Sequence, residues 1–206
     1  SISGPVRADI DSVYAPAPPA DAAFVRFVNL SGAPVEAHLE RGGRLRLDAG
    51  KSAGRYEIVP AGRLSLRFTG RNGSREVSIP VQQYATCILR PGGQIQVMMD
   101  DAADFNLLKA RLSFYNLSRC AQAGLLALGP EELQVFAGIG RDRQAQRQVN
   151  PVRVRFLARC DAPALETPPL PPPALRAGQR HSLFLIDAGA GIRLIDIADT
   201  TAPAPR

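Results

Sequence analysis

The feature that most limits how this chain can fold is a phrase written twice. FVRFVNLS ends at Ser31 and ARLSFYNLS ends at Ser118. Each is a short apolar run closed by Asn-Leu-Ser, and each is followed by polar, Gly-containing or turn-prone residues. The text around both copies has the grammar of strands. RLSLRF sets Leu64, Leu66 and Phe68 against Ser65 and Arg67, and EVSIPV sets Val77, Ile79 and Val81 on one side. Alternation with period two marks half-buried antiparallel strands. Gly42-Gly43, Asn72-Gly73 and Gly92-Gly93 fall between such runs, where hairpin turns need positive φ. About seven short strands are expected over 24–100, at the spacing of a sandwich.

After Asp101 the pattern restarts. VNPVRVRFLARC alternates Val152, Val154 and Phe156 against Arg153 and Arg155. HSLFLIDAGAGIRLIDI pairs two apolar strands across a Gly-rich turn, as TCILRPGGQIQVMM does in the first half. A repeat of this length is a duplicated domain. The expected fold is all-β, with two tandem antiparallel, Ig-like β-sandwich domains behind an extended leader. The boundaries read as a Pro-rich leader over 1–23, a first sandwich over 24–101, a linker over 102–109, a second sandwich over 110–199 and a tail over 200–206. The doubled Asn-Leu-Ser has two readings. Asn and Ser side chains end strands by bonding nearby backbone, and the same triplet is an N-glycosylation sequon.

Chemistry is hard to find. The histidines are His38, inside a predicted strand, and His181, at the start of another, and neither sits beside a nucleophile elbow or a metal-binding helix motif. The acidic pairs Asp100-Asp101 and Glu131-Glu132 fall in connections. Neither a catalytic residue, a cofactor nor a metal site is expected. The formal charge is +6 and the positive residues are nearly all arginine. They are scattered (Arg26, Arg41, Arg44, Arg46, Arg63, Arg67) and read as solvated strand faces, so nucleic acid is not an expected partner. The absence of Trp disfavours a sugar-stacking platform but leaves open recognition of an anionic polymer by arginine. The hairpin GRDRQAQRQ offers Arg141, Arg143 and Arg147 as a contact for a partner or polymer. No apolar run reaches the ~20 residues of a spanning helix. The start of the chain lacks a signal-like h-region, which fits a mature product after signal removal or a trimmed chain.

Of the three cysteines, Cys120 and Cys160 each follow a strand that could end at one rim of the second sandwich. If paired, they favour an oxidising compartment; three reduced thiols in a cytosolic protein is the other reading. Cys87 reads as a buried free thiol. The tract ETPPLPPPALRAG over Glu166–Gly178 is a stiff loop between strands or a PxxP ligand.

DSVYAPAPPADAAFVRFVNLS resembles the mature start of AlgF proteins, where Tyr and a Pro-containing spacer lead into an F-V-R-x-x-N strand. QVNPVRVRF is similar to that family's V-N-P-V-x-V segment, at Val149 to Val154 here. The resemblance implies two β-sandwich domains without an acetyltransferase site, exported to the periplasm. It implies a role in exopolysaccharide O-acetylation, connecting a membrane acyl-transfer apparatus with periplasmic acetyltransferases. A module that binds an anionic or neutral polysaccharide and presents it is the alternative. The cysteine pair and the long proline loop depart from the alginate proteins and point towards a relative serving another polymer such as cellulose.

Overall fold

The computed structural model describes residues 17–39, 44–49, 53–68, 74–101, 103 and 105–201. The leader expected over 1–16, the expected Gly42-Gly43 and Asn72-Gly73 turns and the tail over 202–206 lie outside them. The described chain is all strand and connection. The first half holds β1 (Ala22–Asn29), β2 (Val35–Leu39), β3 (Arg44–Leu47), β4 (Glu57–Pro60), β5 (Gly62–Phe68), β6 (Ser74–Ile79), β7 (Tyr84–Leu89) and β8 (Ile95–Asp100). The second holds β9 (Ala110–Asn116), β10 (Gln122–Leu128), β11 (Glu132–Gly140), β12 (Arg143–Val149), β13 (Arg155–Cys160), β14 (Leu165–Glu166), β15 (Arg180–Ala188) and β16 (Gly191–Ala198). The described residues of the first half thus hold eight strands where about seven were expected.

The strands form four sheets, β4-β1-β7-β8 and β3-β2-β5-β6, then β12-β9-β15-β16 and β11-β10-β13-β14. Adding eight to every label of the first two orders reproduces the last two. The repeat seen in the text is therefore a repeat of topology, element for element.

Strict antiparallel pairing does not hold. β1 runs parallel to β7, and β9 runs parallel to β15, in the centre of their sheets. The reason lies in burial. All eight residues of β1 and all seven of β9 are buried, and parallel central strands suit sheets covered on both faces. One face of β1 and β7 (Ala23, Val25, Phe27, Ala85, Cys87, Leu89) packs on Ala37, Leu64, Leu66 and Ile79 of the sheet behind. In the second half, Leu112, Phe114, Leu183 and Leu185 pack likewise on Ala123, Leu125, Phe156 and Ala158. The other faces meet each other. Val28 and Ile88 from the first half join Tyr115, Leu117, Phe184 and Ile186 from the second in a third cluster. The two halves are thus joined through the outer faces of their parallel strands.

Cys120 and Cys160 form a disulfide across the rim of the second half, 40 positions apart. Closing a loop of that size contributes on the order of 4 kcal/mol in the chain-entropy picture. Cys87 is a buried free thiol, and burial pushes it up to about 12. The stretch Pro151–Val154 is connection rather than strand, and Val152 is exposed, so the alternation expected there begins only at Arg155. After Thr167 the proline tract crosses as a loop pinned to the second core. Leu170 bridges Phe156, and Pro173 and Leu175 are buried. Burial of two of its residues suits the spacer reading better than an offered ligand.

Candidate functional site: a polar hub between the halves

The repeated phrase folds into the same device twice. Asn29 Oδ1 accepts the backbone N–H and hydroxyl of Ser31 at 3.0 and 2.6 Å, and its amide donates to the Ala33 carbonyl at 2.8 Å. Asn116 Oδ1 accepts the N–H and hydroxyl of Ser118 at 3.3 and 2.8 Å, and its amide donates to the carbonyls of Cys120 and Ile139 at 3.0 and 2.9 Å. Both asparagines are buried, which removes the glycosylation reading in the folded chain.

Arg26 overturns its own sequence reading. It sits in the middle of β1, on the face that meets the second half, and is 1% exposed. Among the scattered arginines with described side chains, Arg44, Arg46 and Arg63 do stand in solvent, at 76%, 78% and 84%. The guanidinium of Arg26 donates through Nε to Thr86 Oγ1 at 2.8 Å and through Nη1 to Asp199 Oδ1 at 2.6 Å. Nη2 donates to the Tyr115 hydroxyl at 2.8 Å and to Ser182 Oγ at 2.9 Å. Each of these hydroxyls passes its own proton to a carboxylate. Thr86 and Tyr115 donate to Asp100 at 2.7 Å, and Ser182 donates to Asp199 at 3.0 Å. Tyr56 donates to Asp100 at 2.8 Å. The rings of Tyr56, Phe184 and Tyr115 lie 4.5, 4.9 and 5.3 Å from the guanidinium carbon, a desolvated cation–π setting.

The hub inherits the repeat. Thr86 lies beside Arg26 in the β1–β7 register, and Ser182 lies beside Ser113 in the β9–β15 register. Asp100 pairs with Tyr84 at the end of β8, and the N–H of Asp199 donates to the carbonyl of Arg180 at 2.8 Å, the matching place in the second half. Each half thus supplies one hydroxyl–carboxylate pair, and Arg26 stands between the two. Its own counterpart is Ser113. Electrostatically the cluster is self-consistent. The surrounding phenols and carboxylates hold Arg26 well above the ordinary arginine range against the opposing effect of burial. Tyr56 and Tyr115 are raised above the usual phenol range, first by burial.

Beside the hub lies a cavity of about 80 Å³ lined by Tyr84, Arg111, Ser113 and Gln146, among others. The buried Gln146 Oε1 there has no hydrogen-bond partner, so the space is polar enough for ordered water. A larger open groove, about 460 Å³, crosses the halves elsewhere and is lined by Arg75, Arg90, Gln94, Gln96 and Asp142. Arg90 ties the halves there, pairing with Asp142 and donating to the Leu117 carbonyl at 3.2 Å.

The hairpin arginines lie away from the hub. Arg141 bonds the carbonyl of Arg119, Arg147 donates to the Val135 carbonyl at 3.1 Å, and Arg143 is exposed opposite Asn116. His38 contacts Glu36 at 3.1 Å on the half-exposed face of β2, and His181 contacts Asp196 at 3.2 Å on the far side of β15 from Ser182. No metal-binding group of three is present among the described residues. Sequence reasoning missed Arg26, Asp100, Ser182 and Asp199. The signal for Arg26 was its place inside an unbroken apolar run, where a solvated arginine would need a polar face that β1 does not have.

Among curated proteins none matches the chain. Among solved structures, the C-terminal domain of AlgF from P. aeruginosa is 21% identical, with 44% of this chain and 98% of that chain covered and a TM-score of 0.36. CBMbc, of family CBM26, from Eubacterium rectale Amy13K is 12% identical over 88% of this chain and 98% of that chain, with a TM-score of 0.31. A putative cell adhesion protein from Bacteroides uniformis is 6% identical over 87% and 98%, with a TM-score of 0.29. The family model described as "Alginate O-acetyl transferase AlgF" matches residues 4–179. That match takes in both copies of the repeated phrase and most of the strands that build the hub, and the chain belongs to the AlgF family.

Proposed function

We propose that the chain is a non-catalytic accessory protein of exopolysaccharide O-acetylation, an adaptor that works by contact in the periplasm. It links a membrane acyl-transfer apparatus to periplasmic acetyltransferases acting on alginate or a related polymer such as cellulose. Its two halves are tandem Ig-like sandwiches, 24–101 and 110–199, joined over 102–109, with a leader over 1–23 and a tail over 200–206. The family description names alginate O-acetyl transfer, which supports the pathway.

The observation that carries the adaptor reading is how the hub spends its polar groups. Ser182 and Thr86 are wholly buried, accept from Arg26 and donate to carboxylates. A nucleophile needs an approach path; these hydroxyls, wholly buried, have none. The hub fixes the relative placement of the halves instead, as a scaffold holding partners at set positions requires. The Cys120–Cys160 bond supports export to an oxidising compartment. Arg141, Arg143 and Arg147 are proposed partner contacts.

Mixing the purified chain with the acetyltransferase and membrane acyltransferase components should give a complex measurable by size exclusion. The isolated chain should not turn over acetyl esters. Ester turnover abolished by one side-chain replacement would overturn the reading. The open groove, where Arg75, Gln94 and Gln96 stand with Glu76 and the Arg90–Asp142 pair, favours one further use, holding polymer for a partner enzyme. Saturable binding of alginate by the isolated chain, lost in Arg75→Gln/Arg90→Gln, would establish that module.

A further inference from the structure

The connection between the halves holds two leucines out in water. Leu107 is 71% and Leu108 is 77% exposed, more than any other large apolar side chain among the described residues. The turn that presents them is built rather than loose. Asn106 Oδ1 accepts the N–H of Leu108 at 2.9 Å, and the Asn106 carbonyl accepts that of Lys109 at 2.9 Å. Gln148 accepts the N–H of Asn106 at 3.3 Å, and Gly178 donates its N–H to the Lys109 carbonyl at 2.8 Å. At the foot of the turn the Phe105 ring takes the guanidinium groups of Arg111 and Arg180 at 5.1 and 5.2 Å. Val152, on the adjoining loop, is exposed as well. Specific bonds that fix apolar side chains in solvent mark a contact surface, because ordinary surface turns carry polar residues at such tips.

Charge says what the surface meets. The connections gathered here are 105–109, 150–154 and 174–179. With the first residues of β9 and β15 they carry Lys109, Arg111, Arg153, Arg176 and Arg180, against Asp101 beside Arg111. Arg153 and Arg176 are exposed, and the Lys109 ammonium sits by Asn150 on the neighbouring loop. Adjacent leucines at a tip with cations around them match an interface that is apolar inside and negative at its boundary.

We propose that this end of the molecule docks on an anionic phospholipid surface, with Leu107 and Leu108 entering the headgroup boundary and Lys109, Arg153 and Arg176 meeting lipid phosphates. The adaptor reading names protein partners; this contact is with lipid and stands without it. Co-sedimentation of the purified chain with phosphatidylglycerol-rich vesicles tests it, with pure phosphatidylcholine vesicles alongside. Binding should favour the anionic vesicles and weaken as salt rises. Leu107→Ser/Leu108→Ser should weaken it at least about tenfold at any salt concentration. Arg153→Gln/Arg176→Gln should weaken it and flatten the salt dependence. Circular dichroism shows that each variant is folded. Failure of the wild type to bind either vesicle would overturn the proposal, as would binding indifferent to the leucines. If the leucines instead prove necessary for binding a purified protein component, with no vesicle binding, the surface is a protein-docking tip and the lipid reading falls.

Discussion

Replacing Arg26 by Met tests the central claim, that the halves are welded by one buried cation. The side chain is 1% exposed and makes four hydrogen bonds, one of them to a carboxylate at 2.6 Å. Methionine keeps most of the apolar volume but removes every donor, leaving buried Asp100 and largely covered Asp199 without their cation. Breaking a buried ion pair from one side costs about 3–5 kcal/mol. For a chain of 206 residues each kcal/mol moves Tm by about 2–4 °C, so a fall of about 10 °C is expected. Arg26→Lys should recover only part of this, since one ammonium cannot reach the acceptors that the planar fork spans. The assay is urea unfolding followed by circular dichroism, with a double-mutant cycle against Asp199→Asn. The cycle should return a coupling above about 1 kcal/mol. Wild type should unfold in one transition and Arg26→Met in two, because the apolar patch alone must then hold the halves. A loss below about 1 kcal/mol with a single unchanged transition would refute the reasoning, and the hub would be ornament on a hydrophobic interface.

Three more outcomes follow from the same geometry. Asn116→Ala strands the buried Cys120 carbonyl and should cost about 2–3 kcal/mol in chemical denaturation, whereas Asn29→Ala, whose shortest amide bond goes to the carbonyl of exposed Ala33, should cost about 1 kcal/mol; a larger loss at Asn29 than at Asn116 would contradict this reading of the two turns. Tyr56 and Tyr115 keep their protons in the folded chain beyond the pH at which unfolded tyrosine loses them. Their stabilising effect is therefore complete below about pH 10 and lost above it. A stability profile flat across that boundary would sink the assignment, and Tyr56→Phe should soften the alkaline fall. Cys87, buried and pushed up to about 12, should resist thiol reagents at pH 8 until the chain unfolds, so labelling should track the denaturation curve. Fast labelling of the folded chain would mean that the first core opens locally.

Much of the architecture was legible in the text because strand grammar is local. Leu64 and Leu66 alternate with polar neighbours, and the pleat sends them inward whatever lies across the sheet. The doubled Asn-Leu-Ser was legible for the same reason, since its Asn-to-Ser bonds span two residues, though the Asn116 amide also reaches the Ile139 carbonyl, 23 positions away. The hub was not legible. Nothing within ten residues of Arg26 shows that Ser182 and Asp199 will arrive beside it. Asp100 looked like half of a solvated pair because its only local company is Asp101.

The sequence by itself determined the strands, the duplication, the turn device and the inward face of each sheet, all of them periodic or near-neighbour properties. Only the tertiary structure decided which outer faces would meet. It set β1 and β7 against β9 and β15, and by covering their second face it left these parallel strands doubly buried. That stacking changed a surface arginine into a buried cation with acceptors from both halves. Burial depends on what covers a face, and the residues that meet Arg26 there lie up to 173 positions away along the chain.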